Sequence, residues 1–385
     1  MANTTALRLS LKELMAHTLD ANMLDYWLAK VNLRWSVAQA QATIVERQQA
    51  AVDSVTLVLK PNRHLITPKA GQHLMVSAEI NGRRIARSYS CSSVSGKSEL
   101  LEITVRQVKG GKLSQWLCQQ ASVGDVLHLE QPFGDLQWPD MDQAVLLLAA
   151  GSGITPMMSL LRQHLKQHNH QSNHQPIQLH YWVSQREQAC FVEEINALTK
   201  IWPNFSFYLY VTQQAVQQAA KPATEQAVSP SYVRQGRIDA SHFSKYTHLA
   251  STAVLACGSA GFVANAKQIL QAQVASWQAE AFSPPKLPAL NVNNCTEIKQ
   301  QSVQITLQKQ QRSIQIPVGQ SILTALEAEG IEHPTGCRMG LCNTCACGKI
   351  SGTTQHLLSG DQQHDADSAL RVCISTAQTD LVLDI

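Results

Sequence analysis

Four cysteines near the C-terminus constrain this chain more than any other feature. Cys337, Cys342 and Cys345 lie in TGCRMGLCNTCACG with four and then two residues between them, and Cys373 follows after another 27. This C-x4-C-x2-C…C spacing is the one that holds a plant-type [2Fe–2S] cluster. A tight loop can aim three thiolates at one centre only if its backbone bends sharply. Gly336 and Gly340 permit the φ values that such a bend needs, and their missing side chains let backbone N–H groups approach the sulfurs. The competing reading is a four-cysteine zinc site, which ordinarily shows paired C-x2-4-C knuckles. Cys373 stands alone, so the cluster is favoured. Cys347 is surplus to the four and is expected to be a buried non-ligand.

The chain has ten cysteines in 385 residues, and five fall in the last 49. Such crowding reads as metal binding before disulfides in a cytosolic chain. The other five read as small buried apolar residues. The first twenty residues lack an apolar core and a small-residue cleavage site, so no secretory signal is expected. The longest apolar run, Ala144 to Ala150, is too short to span a bilayer. A cytoplasmic protein that does not itself cross a membrane is expected. A net charge of +3 lacks the basic field of a nucleic-acid binder.

At about 100–200 residues per domain, the length predicts two to four domains. Residues 1–40 read as an amphipathic helical extension, with Leu24, Trp27, Leu28 and Val31 on one stripe, docking within the chain rather than on a partner. Between 41 and 139, short strands follow one another with Gly and Asn between them, the rhythm of a small antiparallel barrel. From 140 to 282, strands such as AVLLLAA alternate with helices, which implies a parallel sheet with a ligand site at the strands' carboxyl ends. The strand ending in LACGS reads as the last of them. The Gln/Ala-rich stretch at 213–230 reads as a surface excursion, and residues 283–298 as a proline-bearing linker. Residues 299–385 show a hairpin, a helix capped by Ser321 with Gly330 beyond its end, the cysteine loop and a closing strand. The fold class expected is multidomain, β + α/β + α+β.

Two further constellations carry chemistry. Arg87-Ser88-Tyr89-Ser90 lies on a barrel strand, where alternation puts Arg87 and Tyr89 on one face. Arginine suits a phosphate through fork-shaped, charge-assisted hydrogen bonds, a tyrosine ring can stack on an isoalloxazine, and a serine hydroxyl can reach a ring nitrogen. Gly110-Gly111-Lys112-Leu113-Ser114 opens a helix, a ready anion site. Each alone is weak. Gly151-Ser152-Gly153-Ile154-Thr155-Pro156 follows a strand and opens a helix, the makings of a pyrophosphate cradle. Cys257-Gly258-Ser259 ends a later strand. Ser184 and Arg186 follow the second strand of the α/β region, where an arginine can clamp a 2′-phosphate. NADPH is favoured over NADH, with Arg186 as a solvated surface charge the plain alternative.

In this order and spacing the motifs resemble the ferredoxin–NADP reductase superfamily, and residues beyond the linker resemble plant-type ferredoxins with a β-grasp fold. The likeness spans about 41–385, nearly 90% of the chain. It implies that Arg87 binds the flavin phosphate, Tyr89 stacks on the ring and Ser90 contacts its redox edge. Val105 would meet the flavin through its backbone, and Gly111, Leu113 and Ser114 would hold phosphate groups. The flavin is expected to be FAD rather than FMN. Gly151, Gly153, Thr155, Pro156, Ser184, Arg186, Cys257 and Gly258 would form the nicotinamide site, with Ser90 and Cys257 positioning the hydride. Electrons would then run from NADPH or NADH through FAD to the cluster and out to an acceptor protein, near a rim at Arg338 and Met339.

The N-terminal extension resembles reductases that serve membrane fatty-acid desaturases, which would make association with the inner membrane peripheral and partner-borne. The reductase of a soluble aromatic-ring oxygenase and a non-turnover redox sensor or scaffold are the alternatives. The His-rich run 164–174 reads as solvated loop, not metal.

Overall fold

The computed structural model describes residues 24–25, 27–28, 31, 35–94, 100–139, 143–167, 175–213, 233–244, 246, 248–282, 302–340, 342–357 and 360–385. The expected N-terminal helix falls mostly outside these. Leu24, Asp25, Trp27, Leu28 and Val31 are helical; Trp27 and Val31 are exposed, whereas Asp25 is buried and accepts from Ser36 Oγ and the Val37 amide. The linker and nearly all of the Gln/Ala-rich excursion also lie outside the described residues.

Strands β1 (Gln41–Ala51), β2 (Ser54–Pro61), β3 (His73–Ile80), β4 (Arg83–Val94), β5 (Leu101–Arg106) and β6 (Val126–Leu129) close into an antiparallel barrel of order β1-β2-β5-β4-β3-β6. Alternation sends Ile44, Leu57, Leu74 and Ile103 to its core, where all are fully buried. Asn81 and Gly82, both at left-handed φ, make the two-residue turn between β3 and β4 whose twist matches that of the strands. Helix α1 (Lys112–Gln119) buries Leu113 and Leu117, four residues apart on one face, in the barrel core.

The second unit comprises β7 (Ala144–Ala150), α2 (Ile154–Gln167), β8 (Ile177–Val183), α3 (Val192–Ile201), β9 (Phe205–Val211), β10 (Val233–Gln235), β11 (Thr252–Gly258), α4 (Ala260–Leu270) and β12 (Ser276–Ala281). Its parallel sheet runs β10-β9-β8-β7-β11-β12. Flanked on both sides and covered on both faces, β7 reads as an unbroken apolar run. One expectation is corrected: β11 is not the last strand, because β12 adds an edge beyond it. SWQAEA is only half buried over most of its length, so it lacks the apolar run that marks its neighbours. A second correction concerns His164, read as solvated loop. It sits on α2, 3% exposed, stacked on Trp138 at 4.2 Å.

The third unit holds β13 (Ser302–Leu307), β14 (Arg312–Pro317), α5 (Ile322–Ala328), β15 (Ala346–Ser351), β16 (Thr354–His356), β17 (Gln362–Gln363), β18 (Asp367–Arg371), β19 (Ser375–Ala377) and β20 (Leu381–Leu383). The main sheet runs β14-β13-β20-β15-β18, beside a small β17-β16-β19 sheet. Ser321 caps α5 by accepting from the Thr324 amide, and Gly330 follows at φ 69.

Buried thiols make the fold sensitive to alkali. Burial pushes Cys91 from its usual value near 9 up to about 12, and pushes Cys257 well above its own. Above the usual thiol value the unfolded chain binds fewer protons than the folded one, so stability falls as pH rises. Each such thiol contributes roughly 1.4 kcal/mol per pH unit across that window. Denaturant titrations between about pH 9 and 11 should show a shallower loss for Cys91→Ala than for the parent protein. Parallel slopes for the two would refute the assignment.

Candidate functional site

The barrel and the parallel sheet meet along polar contacts. Arg162 of α2 pairs with Glu194 of α3 at 2.6 Å and with Glu102 of β5 at 2.9 Å, and it also donates to the Ser92 carbonyl. Asp53 accepts from Arg106 at 2.8 Å and from Gln188 at 3.1 Å. These bonds set the carboxyl ends of the parallel strands against the open side of the barrel.

A cavity of about 730 Å³ opens on the barrel side, and Arg87, Tyr89, Ser90, Gly111, Leu113 and Ser114 all line it. Arg87 is exposed, Tyr89 half-buried and Ser90 buried. Burial pushes the Tyr89 phenol up, which keeps it protonated. Gly111 precedes α1 with no side-chain cap on the helix, so the first-turn amides face the cavity mouth as anion donors. A Cβ on Gly111 would lie 2.5 Å from Ser114 Oγ. Ser114 itself accepts from the Val108 amide and donates to the Gly111 carbonyl, so its hydroxyl closes the turn that shapes the loop. The cavity also contains a buried hydroxyl, Ser88 Oγ, with no hydrogen-bond partner among the described residues. Such a group ordinarily marks a missing polar partner. This donor set fits a flavin nucleotide. The Val105 side chain is fully buried in the barrel core and its flanking residues Thr104 and Arg106 line the cavity, so only the Val105 backbone is available to face it.

A second cavity of about 730 Å³ lies at the carboxyl ends of β7, β8, β9 and β11, lined by Gly151, Ser152, Ser184, Thr212, Gly258 and Ser259 among others. Trp182 Nε1 lines it buried and without a hydrogen-bond partner among the described residues, a donor that suits a bound nucleotide. Gly153 packs backbone to backbone, since a Cβ there would lie 2.1 Å from the Cys257 carbonyl oxygen. Five expected residues, Gly153 among them, lie off this wall. Cys257 is fully buried in the sheet core, and Pro156 is buried in the first turn of α2. Arg186 is exposed outside the cavity, whereas Arg237, which sequence reasoning passed over, lines it. Thr155 lines the flavin cavity rather than this one. Arg106, Ser152 and Phe282 belong to both walls, so the two cavities meet there.

The cysteines gather as two pairs. The Cys337 amide donates to Cys342 Sγ at 3.2 Å and the Cys342 amide to Cys337 Sγ at 3.3 Å. The Met339 amide also points at Cys337 Sγ, 3.4 Å away. Cys345 and Cys373, both buried, form the second hydrogen-bonded pair. Hydrogen bonding within each pair holds Cys342 and Cys345 below the usual thiol value and raises Cys373. Among the described residues no three metal-ligating side chains gather as one ion requires. Four thiols in this arrangement would suit the ligand set of a [2Fe–2S] cluster. A Cβ on Gly336 would lie 2.6 Å from Cys342 Sγ, and one on Gly340, at φ 75, 2.2 Å from Ile374 Cδ1. Cys347 is buried in β15 with its thiol pushed up to about 12. Met339 reaches into the flavin cavity, so the loop rim read as a partner surface faces inward toward the flavin at that residue.

Family models match in the same order: an oxidoreductase FAD-binding domain over residues 41–138, an oxidoreductase NAD-binding domain over 147–268 and a 2Fe-2S iron-sulfur cluster binding domain over 305–378. An NADPH oxidoreductase of Mycobacterium tuberculosis is 26% identical across 98% of this chain and 92% of its own length. The ferredoxin reductase component of 3-ketosteroid-9-alpha-monooxygenase from the same species is 27% identical across 84% of this chain and 86% of its own. Phthalate dioxygenase reductase shares the fold, with a TM-score of 0.52 at 22% identity over 90% of this chain and 97% of that one.

Proposed function

The chain joins FAD-binding, NAD-binding and 2Fe-2S domains in one NAD(P)H-dependent flavin and iron–sulfur oxidoreductase, and from that premise we propose that it is the reductase component of an oxygenase system. The observation that carries this is contiguity. The nucleotide cavity shares Arg106, Ser152 and Phe282 with the flavin cavity, and Met339 of the cysteine loop enters the flavin cavity. Bound FAD supplies the conversion of a two-electron hydride into single electrons that a cluster can carry.

The residues bind and orient. Arg87 and the α1 amides hold flavin phosphate, Tyr89 covers the ring and Ser90 meets its redox edge. Gly151, Ser152, Gly258 and Ser259 hold the nicotinamide nucleotide. Arg237, rather than Arg186, takes the 2′-phosphate, which favours NADPH. Cys257 acts through its backbone against Gly153, not through its thiol. Cys337, Cys342, Cys345 and Cys373 hold the cluster.

The acceptor proposed is an oxygenase component, as the name of the 3-ketosteroid-9-alpha-monooxygenase relative suggests. No observation supports the membrane desaturase expected from the N-terminal segment, and none supports peripheral membrane association. Among the described residues no helix is long and apolar enough to cross a membrane. None of the nine described cysteines is in a disulfide.

The test is reconstitution. Purified protein with NADPH should reduce ferricyanide, which a mere redox sensor or scaffold would not do at catalytic rates. It should also support product formation by purified oxygenase components, and not by desaturase in vesicles. Desaturation without oxygenase coupling would reverse the choice of partner.

A further inference from the structure

A row of rings runs along one face of the parallel sheet and ends at the nucleotide cavity. Register sets His180 of β8 opposite Tyr208 of β9, and Trp182 opposite Tyr210, so alternation puts all four side chains on one face. Trp182 stacks on Tyr210 with ring centroids 4.5 Å apart and planes 10° from parallel. Phe262 of α4 also packs against the indole, at 5.3 Å, and His242 meets Tyr210 edge-on at 4.6 Å. Trp182 is only 3% exposed, yet it lines the cavity.

Hydrogen bonds pin the ring on which the indole rests. Tyr246 donates its hydroxyl proton to Gln178 Oε1, so it accepts from His180 Nε2 at 2.7 Å. His180 Nδ1 is then the bare nitrogen, and it accepts from the Tyr210 hydroxyl at 3.0 Å. Burial, with Arg234 and His242 nearby, brings His180 down to about 3, so this neutral tautomer persists at neutral pH. Packed on a pinned Tyr210 and on Phe262, the indole is not free to turn its N–H toward another partner.

Among the described residues Trp182 Nε1 has no hydrogen-bond partner. A buried indole N–H ordinarily has one, and indole can only donate, so the missing partner is an acceptor. Its position says which kind. Trp182 pairs across the sheet with Ala150, the residue before the Gly151 turn. Ala150, Gly258 and Phe262 line the cavity with it and crowd together, since a Cβ on Gly258 would lie 2.8 Å from Ala150 Cβ and 3.0 Å from Phe262 Cδ1. The indole N–H is thus the polar point of an apolar floor beside the turns that follow β7 and β11. Among the described residues the cavity wall holds two cations, Arg106 and Arg237, and no carboxylate. The acceptor that suits such a wall is an anion.

We infer that the Trp182 indole N–H donates to the pyrophosphate of the bound dinucleotide. The inference rests on the reading of this cavity as the nicotinamide-nucleotide site. Proximity to the Gly151 turn selects the pyrophosphate over the 2′-phosphate, which Arg237 takes. Trp182 binds and orients, and it exchanges no proton or electron with the substrate. The pyrophosphate does not change during hydride transfer, so the contact is made equally before and during the reaction. Its loss should therefore weaken binding rather than slow the chemical step.

The test uses the flavin- and cluster-loaded full chain. Trp182→Phe keeps a ring to stack on Tyr210 and removes the donor. Calorimetric titration should show NADP+ binding weakened roughly tenfold, about 1.4 kcal/mol. Adenosine 2′-monophosphate, which keeps the adenosine and the 2′-phosphate but has no pyrophosphate, should bind parent and variant alike. In ferricyanide reduction the KM for NADPH should rise by a similar factor while kcat moves far less. In parent protein carrying 15N-labelled tryptophan, the indole signal that the variant lacks should shift downfield and exchange more slowly with water when NADP+ is added. Trp182→Leu stands in if Trp182→Phe fails to fold. Parent-like NADP+ affinity in either folded variant overturns the inference. Equal weakening of adenosine 2′-monophosphate overturns it too, because the indole would then support the cavity or its adenosine end and not the pyrophosphate. If the parent binds neither NADP+ nor NAD+, the reading of the cavity falls and the inference with it.

Discussion

Cys345→Ser should leave NADPH-driven bleaching of the flavin intact and abolish delivery of electrons to a protein acceptor. Cys345 is 3% exposed and paired with Cys373, itself 4% exposed, so serine there removes half of one iron's protein ligands with no solvent ligand to replace it. Changes merely near a metal site cost about 10–100-fold in affinity or activity, so loss of a ligand should exceed the upper end of that range. Ferricyanide, which can take electrons from the flavin directly, should still be reduced at the parent rate. The paramagnetic signal and broad visible absorption of a [2Fe–2S] centre should be missing. Cys347→Ser provides the contrast. Cys347 belongs to β15, opposite Leu370, and its thiol is neutral and packed. That variant should keep the cluster and the acceptor rate, with at most a modest stability loss. Equal electron delivery by the parent and Cys345→Ser would sink the ligand assignment, and loss of the cluster in Cys347→Ser would redraw it.

Some of this site was legible in the sequence because local spacing carries it. C-x4-C-x2-C is a statement about one loop, and the loop's glycines lie where a Cβ would strike Cys342 Sγ or Ile374. The barrel strands and β7 announce themselves through alternation and apolar runs. What stayed hidden depends on pairs far apart in the chain. His73 looks like one more residue on a half-buried strand until Glu280, 207 residues later, closes on it. Glu280 was invisible because β12 is an edge strand whose half-burial blurs its pattern. Arg186 drew attention by following a strand, yet the cavity wall is completed by Arg237 from beyond β10, a placement that no spacing encodes. His164 was misread for the same reason: the Trp138 ring that buries it comes from the far side of β7. Cys257 is buried in the sheet core with its backbone against Gly153, and a motif names a residue without saying which of its atoms matters.

That last distinction yields a prediction as large as the first. If Cys257 serves through its backbone, the sensitive partner is Gly153, whose absent Cβ lets the β7 and β11 turns touch. An added methyl would lie 2.1 Å from the Cys257 carbonyl oxygen, 2.4 Å from its carbon and 2.9 Å from the Gly258 amide nitrogen. All three are backbone atoms held by the parallel sheet, so no side chain can swing aside and the turns must separate. Overpacking of this kind costs about 1–3 kcal/mol, and the rigidity of the neighbours puts Gly153→Ala at the upper end. Since both turns line the nucleotide cavity, the same displacement should weaken NADPH binding by roughly a hundredfold, about 2.7 kcal/mol. Flavin content, the cluster's signal and reduction by dithionite should all persist, because the barrel and the cysteine loop are untouched. Gly261→Ala, in the first turn of α4 with nothing within 4 Å of its Cβ, should instead raise stability by about 0.5–1 kcal/mol through helix propensity alone. Stopped-flow bleaching against NADPH concentration measures the first effect and denaturant unfolding the second. Parent-like affinity in Gly153→Ala would mean that the two turns do not set the nucleotide cradle.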